Sequence, residues 1–168
     1  MTLQRSTELK GVRYLAKVAV IASLYALFTV LPPFNSLSYG PVQVRISEAL
    51  TVLPYLTGAA VPGLVLGCLL GNLGSPFLVW DLTVGVGATA LAAFLTRRVS
   101  KVWLAPLPPV VVNSLLVSTY VSTLTQTPYI LTACYIGLGE VVSCYLVGLP
   151  LLISIRRNRR LVDLLREG

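Results

Sequence analysis

The chain contains no histidine, and its three cysteines, Cys68, Cys134 and Cys144, lie in apolar runs at spacings that suit no metal site. Metal catalysis is not indicated, no cofactor is called for, and the cysteines read as small apolar packing residues. A phosphate-cradling G-x-x-x-x-G-K-[ST] loop is also missing, so any ATP-driven step needs a separate partner. No nucleophile constellation of the kind an enzyme requires is visible. Charge is scarce as well: Asp, Glu, Lys and Arg make up 11% of the residues and hydrophobic residues 55%, whereas an ordinary soluble domain carries roughly 25% charged residues. A soluble fold of 168 residues has too little interior to hide that much apolar surface.

What charge there is has a pattern. The 13 Lys and Arg outnumber the 6 Asp and Glu, for a formal charge of +7, but they fall in three clumps beside apolar runs and not along a nucleic-acid-binding face. The clumps are Arg5, Lys10, Arg13 and Lys17; then Arg97, Arg98 and Lys101; then Arg156, Arg157, Arg159 and Arg160. No nucleic-acid partner is expected. Between the clumps, apolar runs occupy about 14–31, 46–60, 63–75, 78–96, 106–124 and 129–155, with a tail at 156–168 that ends in the amphipathic LVDLLREG. Pro32-Pro33, Gly58 with Pro62, Gly74-Ser75-Pro76, Pro106 and the stretch TQTP punctuate them.

A membrane span needs about 20 apolar residues, within a range near 17–25; the first and sixth runs qualify easily, and the second and third are short. Counting six spans puts all three basic clumps on one side, and the positive-inside rule makes that side, with both termini, cytoplasmic. The expectation is an all-α integral membrane protein: one domain over 1–168, a compact six-transmembrane-helix bundle, multi-pass in the cell membrane. No A-x-A-like cleavage site precedes Pro32-Pro33, so the first run reads as a span and not as a secretory signal. The Gly-, Pro- and Ser-containing stretch FNSLSYGPVQVR reads as an outside loop.

Three carboxylates, Glu48, Asp81 and Glu140, share this apolar territory with one basic residue, Arg45. An ionised group inside a membrane is costly, which makes each a candidate for function. Arg45 and Glu48 sit three residues apart on one helical face and can pair. Asn72 falls near the outer end of the third run, and Trp80 and Asp81 at the outer start of the fourth. Asn113 and Glu140 lie about seven and eleven residues into the fifth and sixth, roughly mid-depth at 1.5 Å per residue.

Plainer readings exist for most of these: a headgroup-level ion pair for Arg45 and Glu48, a helix cap for Asp81, interhelical hydrogen bonding for Asn72 and Asn113. Glu140, mid-span between Gly139 and an apolar stretch, resists one. If Arg45 neutralises one carboxylate, two are left for a ligand that brings positive charge or several N–H donors, with Tyr39, Trp80, Tyr120 and Tyr145 as stacking surfaces. The alternative is that the acids relay protons in a carrier that works alone. In the first run Ala16, Ala19, Ala22, Ser23 and Ala26 form a small-residue stripe that serves either internal packing or the approach of another helix.

The strings YGPVQVRISEALTVLPYLTGAAVPGLVLGCLLGN, WLAPLPPVVVNSL and YIGLGEVVSCYLVGLPLL resemble the QueT family of S components, the substrate-capturing subunits of energy-coupling factor (ECF) transporters, over about Leu15 to Arg157. That resemblance implies a six-helix S component that binds a queuosine precursor, a 7-deazaguanine such as preQ1 or the base queuine. It also implies assembly with a transmembrane T subunit and two cytoplasmic ATPase subunits. The T subunit would dock on the small-residue face at Ala19, Ala22 and Ala26, and the S component would topple in the membrane to deliver its cargo. The expected substrate site is Glu140, Asp81, Glu48, Arg45, Asn72, Asn113, Trp80 and Tyr39. Within it, Glu140 takes the base edge, Asp81 or Glu48 takes an amine, and Arg45 or an Asn takes the carbonyl oxygen.

Overall fold

The structure, a computed structural model, describes residues 2–31 and 44–166, with side chains for 10–31 and 44–165. Among the described residues all regular structure is helical. The first apolar run forms α1 (Thr2–Val30), which begins well before residue 14 because the basic N-terminal stretch contains no proline before Pro32 and the helix carries Gly11 within it. There follow α2 (Ile46–Tyr55), α3 (Ala60–Gly74), α4 (Leu78–Arg98), α5 (Leu107–Thr125), α6 (Tyr129–Arg157) and, in the tail, α7 (Arg159–Arg166). The outside loop expected at FNSLSYGPVQVR, and Tyr39 within it, lie almost wholly outside the described residues.

Among the described residues four stretches are long and apolar enough to cross a membrane: Lys10–Val30, Leu78–Arg98, Val102–Thr125 and Tyr129–Arg157. The second and third runs differ from that pattern. α2 is a ten-residue 3-10 helix, shorter than the expected run at 46–60; Pro54 inside it removes one backbone donor. At about 2.0 Å per residue it extends roughly 20 Å, short of the ~30 Å hydrocarbon layer. Ser47 to Pro54 are all buried, so this slender helix is held by the helices around it. The third run begins at Ala60, earlier than residue 63, because Pro62 is tolerated in the first helical turn.

Packing is tightest where side chains vanish. Gly63, Gly67 and Gly71 recur every four residues on α3 and face α1. A Cβ on Gly67 would lie 2.7 Å from Tyr25 Cβ and 2.8 Å from the Ala22 carbonyl oxygen, so here the two helices meet backbone to backbone. Gly148 does the same for α6 against α2, where an added Cβ would come within 2.8 Å of the Ala49 oxygen. The tail folds back: Leu165 of α7 packs against the buried Val52, Leu56, Ala105 and Leu152.

Polarity is arranged inside out. Ile130 (76% exposed), Val79 and Leu146 point outward, whereas Glu48 (2% exposed), Asp81, Asn72, Asn113 and Glu140 are interior. An apolar exterior around a polar interior is what lipid as solvent selects.

Candidate functional site

The interior polar groups form two adjoining clusters. In the first, Asn113 of α5 bridges two acids: its Nδ2 donates to Glu140 Oε1 at 2.9 Å and to Glu48 Oε2 at 3.4 Å. The Tyr25 hydroxyl of α1 donates to the other Glu48 oxygen. Cys144, one turn beyond Glu140 on α6, sits 3.4 Å from Glu140 Oε2 and 3.4 Å from the Glu48 carbonyl oxygen. Asn113 Oδ1 is buried and meets no donor among the described residues.

Asp81 is the centre of the second cluster. Tyr120 of α5 donates to Oδ1 and Ser75 to Oδ2. Arg45 Nη2 lies 3.7 Å from Asp81 Oδ1, and Arg45 Nη1 donates to Asn72 Oδ1 at 3.3 Å. Asn72 in turn donates to the Asp81 carbonyl at 3.4 Å. The ion pair therefore crosses from α2 to α4, a connection that spacing along the chain does not reveal. Glu48, the sequence neighbour of Arg45, accepts from Tyr25 and Asn113.

Two local distortions adjoin the acids. The helix widens into π turns at Asp81–Gly85 in α4 and at Val141–Gly148 in α6, one beginning on Asp81 and the other directly after Glu140. Such widened turns are rare and recur at functional sites. Between the clusters lies a small cavity of about 10 Å³, with Arg45, Glu48, Gly85, Thr89, Asn113 and Glu140 among its walls. That is room for about one water molecule. Two carboxyl groups, Glu48 and Glu140, and the Arg45 guanidinium thus line a space smaller than any base, with Asp81 held beside it through Arg45.

The expected site residues Glu48, Asp81, Glu140, Arg45, Asn72 and Asn113 are all interior and come together. Trp80 is half-exposed and stacks on Tyr120, with ring centroids 6.1 Å apart and planes 9° from parallel. Tyr145 is half-buried, and Tyr39 lies outside the described residues. The small-residue stripe splits: Ala22 is buried beneath Gly67, Ala26 is half-buried and Ala19 is exposed. The cysteines split too, Cys68 and Cys144 being buried and Cys134 exposed. Tyr25 and Ser75 are the residues that sequence reasoning missed. Tyr25 carries a signal in retrospect, since Tyr25 and Thr29 are polar groups four apart on the same face as Ala22 within an otherwise apolar run.

Known proteins bear on this arrangement. The family model for the QueT transporter matches residues 15–157, which takes in α2 to α6 whole and every acid of both clusters. The chain belongs to the QueT transporter family. It is thus a multi-pass membrane protein with a transport function, and both clusters lie in the segment shared with that family. A Lactococcus lactis subsp. cremoris (strain MG1363) protein, named queuosine precursor transporter QueT, is 26% identical over 143 residues, covering 77% of this chain and 84% of the relative. No solved structure matches the chain. Tail helix α7 falls beyond the matched segment.

Proposed function

We propose that the chain is the substrate-binding S component of an ATP-driven ECF importer. In this reading it has six membrane segments and both termini in the cytoplasm, and it captures a queuosine precursor, preQ1, queuine or a related 7-deazaguanine, from outside. A transmembrane T subunit and two ATPase subunits complete the machine, with the exposed part of the α1 stripe, Ala19 and the half-buried Ala26, facing the T subunit. The observation that carries the reading is the pair of acids, Glu48 and Glu140, bridged by Asn113 inside a QueT family chain.

The chemistry fits donor-rich cargo. The N–H edge of a guanine-type base offers two parallel donors to one carboxylate, and the aminomethyl group of preQ1 adds a cation for a second. Glu140 takes the base edge, and Asp81 or Glu48 takes the amine. Arg45 or Asn72 supplies a donor for the carbonyl oxygen, and Trp80 with Tyr120 supplies the stacking surface. In the closed arrangement the hydroxyls of Tyr25, Ser75 and Tyr120 hold the positions that ligand donors would take. Capture then exchanges protein O–H donors for ligand N–H donors as the roughly 10 Å³ cavity opens. No acid is left bare on either side of the exchange, which spares the cost of an unpaired buried charge.

Titration of the purified chain with preQ1 by calorimetry tests this. Glu140→Gln puts an amide N–H against a ligand donor in place of a charged acceptor. The loss of a charged hydrogen bond, about 1.5–3 kcal/mol, weakens binding roughly 10- to 150-fold. Unchanged affinity would sink the assignment of Glu140. Uptake of preQ1 that persists in cells without the ATPase subunits would instead favour a proton-coupled carrier.

A further inference from the structure

At the end of the molecule where the basic clumps gather, α1 and tail helix α7 enclose a second cavity of about 690 Å³, unrelated to the carboxylate clusters. Its volume is that of a ligand site. Among the described residues Arg13, Lys17 and Arg160 line it together with one acid, Asp163. Val20 and Leu164, 58% and 60% exposed, extend an apolar surface away from the charged rim. The tail that closes the cavity is fixed at both levels: Leu165 is packed into the core, and Lys17 Nζ donates to the Leu165 carbonyl at 3.2 Å, satisfying a C-terminal carbonyl of α7. α7 is also strongly two-faced, with Leu161 and Leu164 outward and Arg159 and Arg160 beside them, as in helices that lie in the plane of a membrane surface.

We infer that this cavity is a binding site for an anionic phospholipid. The phosphate sits among Arg13, Lys17 and Arg160, and the start of the acyl chains lies along Val20 and Leu164. A free phosphate has no use for that apolar wall, and a zwitterionic lipid gains less from three converging basic side chains. Basic pockets between membrane helices on the side with excess Lys and Arg hold acidic headgroups for the same reason. The bound lipid ties α7 to α1 at the membrane boundary and is independent of the cargo site.

The test uses the full chain purified in detergent and supplemented with phosphatidylglycerol, phosphatidylcholine or glycerol 3-phosphate, with Tm and native mass spectrometry as readouts. Phosphatidylglycerol is expected to raise Tm by about 5 °C or more over phosphatidylcholine and to survive as a one-to-one adduct. The difference should vanish in Arg13→Gln/Arg160→Gln and persist in Arg157→Gln/Arg159→Gln, which removes equal charge from the same end outside this cavity. Binding of preQ1 should be unaffected by either variant. Three results would overturn the site: equal effects of the two lipids on the wild-type chain, equal losses in both variants, or full reproduction by glycerol 3-phosphate. Loss of assembly with membrane partners in Arg13→Gln/Arg160→Gln, with the lipid difference intact, would reassign the cavity to a protein and equally overturn it. The wild-type adduct comparison decides the matter even if a variant fails to fold.

Discussion

Substituting Gly67 by alanine adds one methyl group far from any charge, and the structure makes it costly. The new Cβ would stand 2.7 Å from Tyr25 Cβ and 2.8 Å from the Ala22 oxygen, both on the rigid body of α1 and neither at the tip of a flexible side chain. Ordinary carbon contacts lie at roughly 3.5–4.0 Å, so α1 must withdraw from α3 by close to an ångström. Overpacking of this kind costs about 1–3 kcal/mol. The same withdrawal carries the Tyr25 hydroxyl away from Glu48 and weakens a charged hydrogen bond, itself about 1.5–3 kcal/mol when fully formed. At roughly 2–4 °C per kcal/mol for a chain of this size, the expected fall in Tm is on the order of 5–15 °C. Affinity for preQ1 should fall along with it, although Gly67 touches no ligand. The internal control is Gly87→Ala: nothing lies within 4 Å of that Cβ, and alanine in a helix gains up to about 1 kcal/mol over glycine. Thermal unfolding of both variants, followed by intrinsic fluorescence in detergent, compares the same chemical change at two positions. If Gly67→Ala unfolds no earlier than Gly87→Ala, the close contact of α1 and α3 is refuted, and with it the reasoning that couples this packing to Glu48.

The remaining expectations concern the ion pair and the α1 stripe. Arg45→Gln leaves Asp81 without its guanidinium and should destabilise by about 3–5 kcal/mol, whereas Arg45→Gln combined with Asp81→Asn should recover part of that loss; a double-mutant cycle with no coupling in Tm or urea midpoint contradicts the pairing. Ala22→Leu should lower Tm sharply because Ala22 is buried beneath Gly67. Ala19→Leu, on the exposed face, should leave Tm within about 2 °C yet reduce co-purification of the proposed T subunit; equal thermal effects at the two positions would contradict the split of the stripe.

The sequence was legible where the physics is one-dimensional. Run lengths, proline punctuation and basic clumps place α4, α5 and α6 within about two residues of their observed bounds, because a membrane span is specified by local composition alone. Glu48, Asp81 and Glu140 announced themselves by cost, since an acid in such surroundings needs a partner wherever the helices turn. What stayed hidden depends on contacts between distant segments. The 3-10 form of α2 is imposed by neighbours that bury Ser47 to Pro54 on all sides. Tyr25 reaching Glu48 depends on the backbone contact of α1 with α3, whose sign in the sequence is the spacing of Gly63, Gly67 and Gly71, and Arg45 reaching Asp81 depends on how the start of α2 lies against α4. Trp80, offered by its aromatic type as a stacking surface, is half-exposed and lies against Tyr120, a neighbour that chain spacing does not reveal.

The π turns beside Asp81 and Glu140 have a consequence for how this chain tolerates length. A π turn holds one residue more than the α pattern needs, and in an α-helix one residue corresponds to about 100° of rotation. Deleting a single residue within Val141–Gly148 would let α6 close into an ordinary helix while Glu140 keeps nearly the same bearing relative to Leu152, because the widened turn already absorbs the surplus residue. The same deletion in the regular helix of Leu149–Arg157 would swing Glu140 by about 100° relative to everything past the gap. The turn beside the carboxylate is thus the place where α6 can lose a residue and still present its glutamate to Asn113, and two relatives that differ by one residue there can hold the acid toward the same cargo.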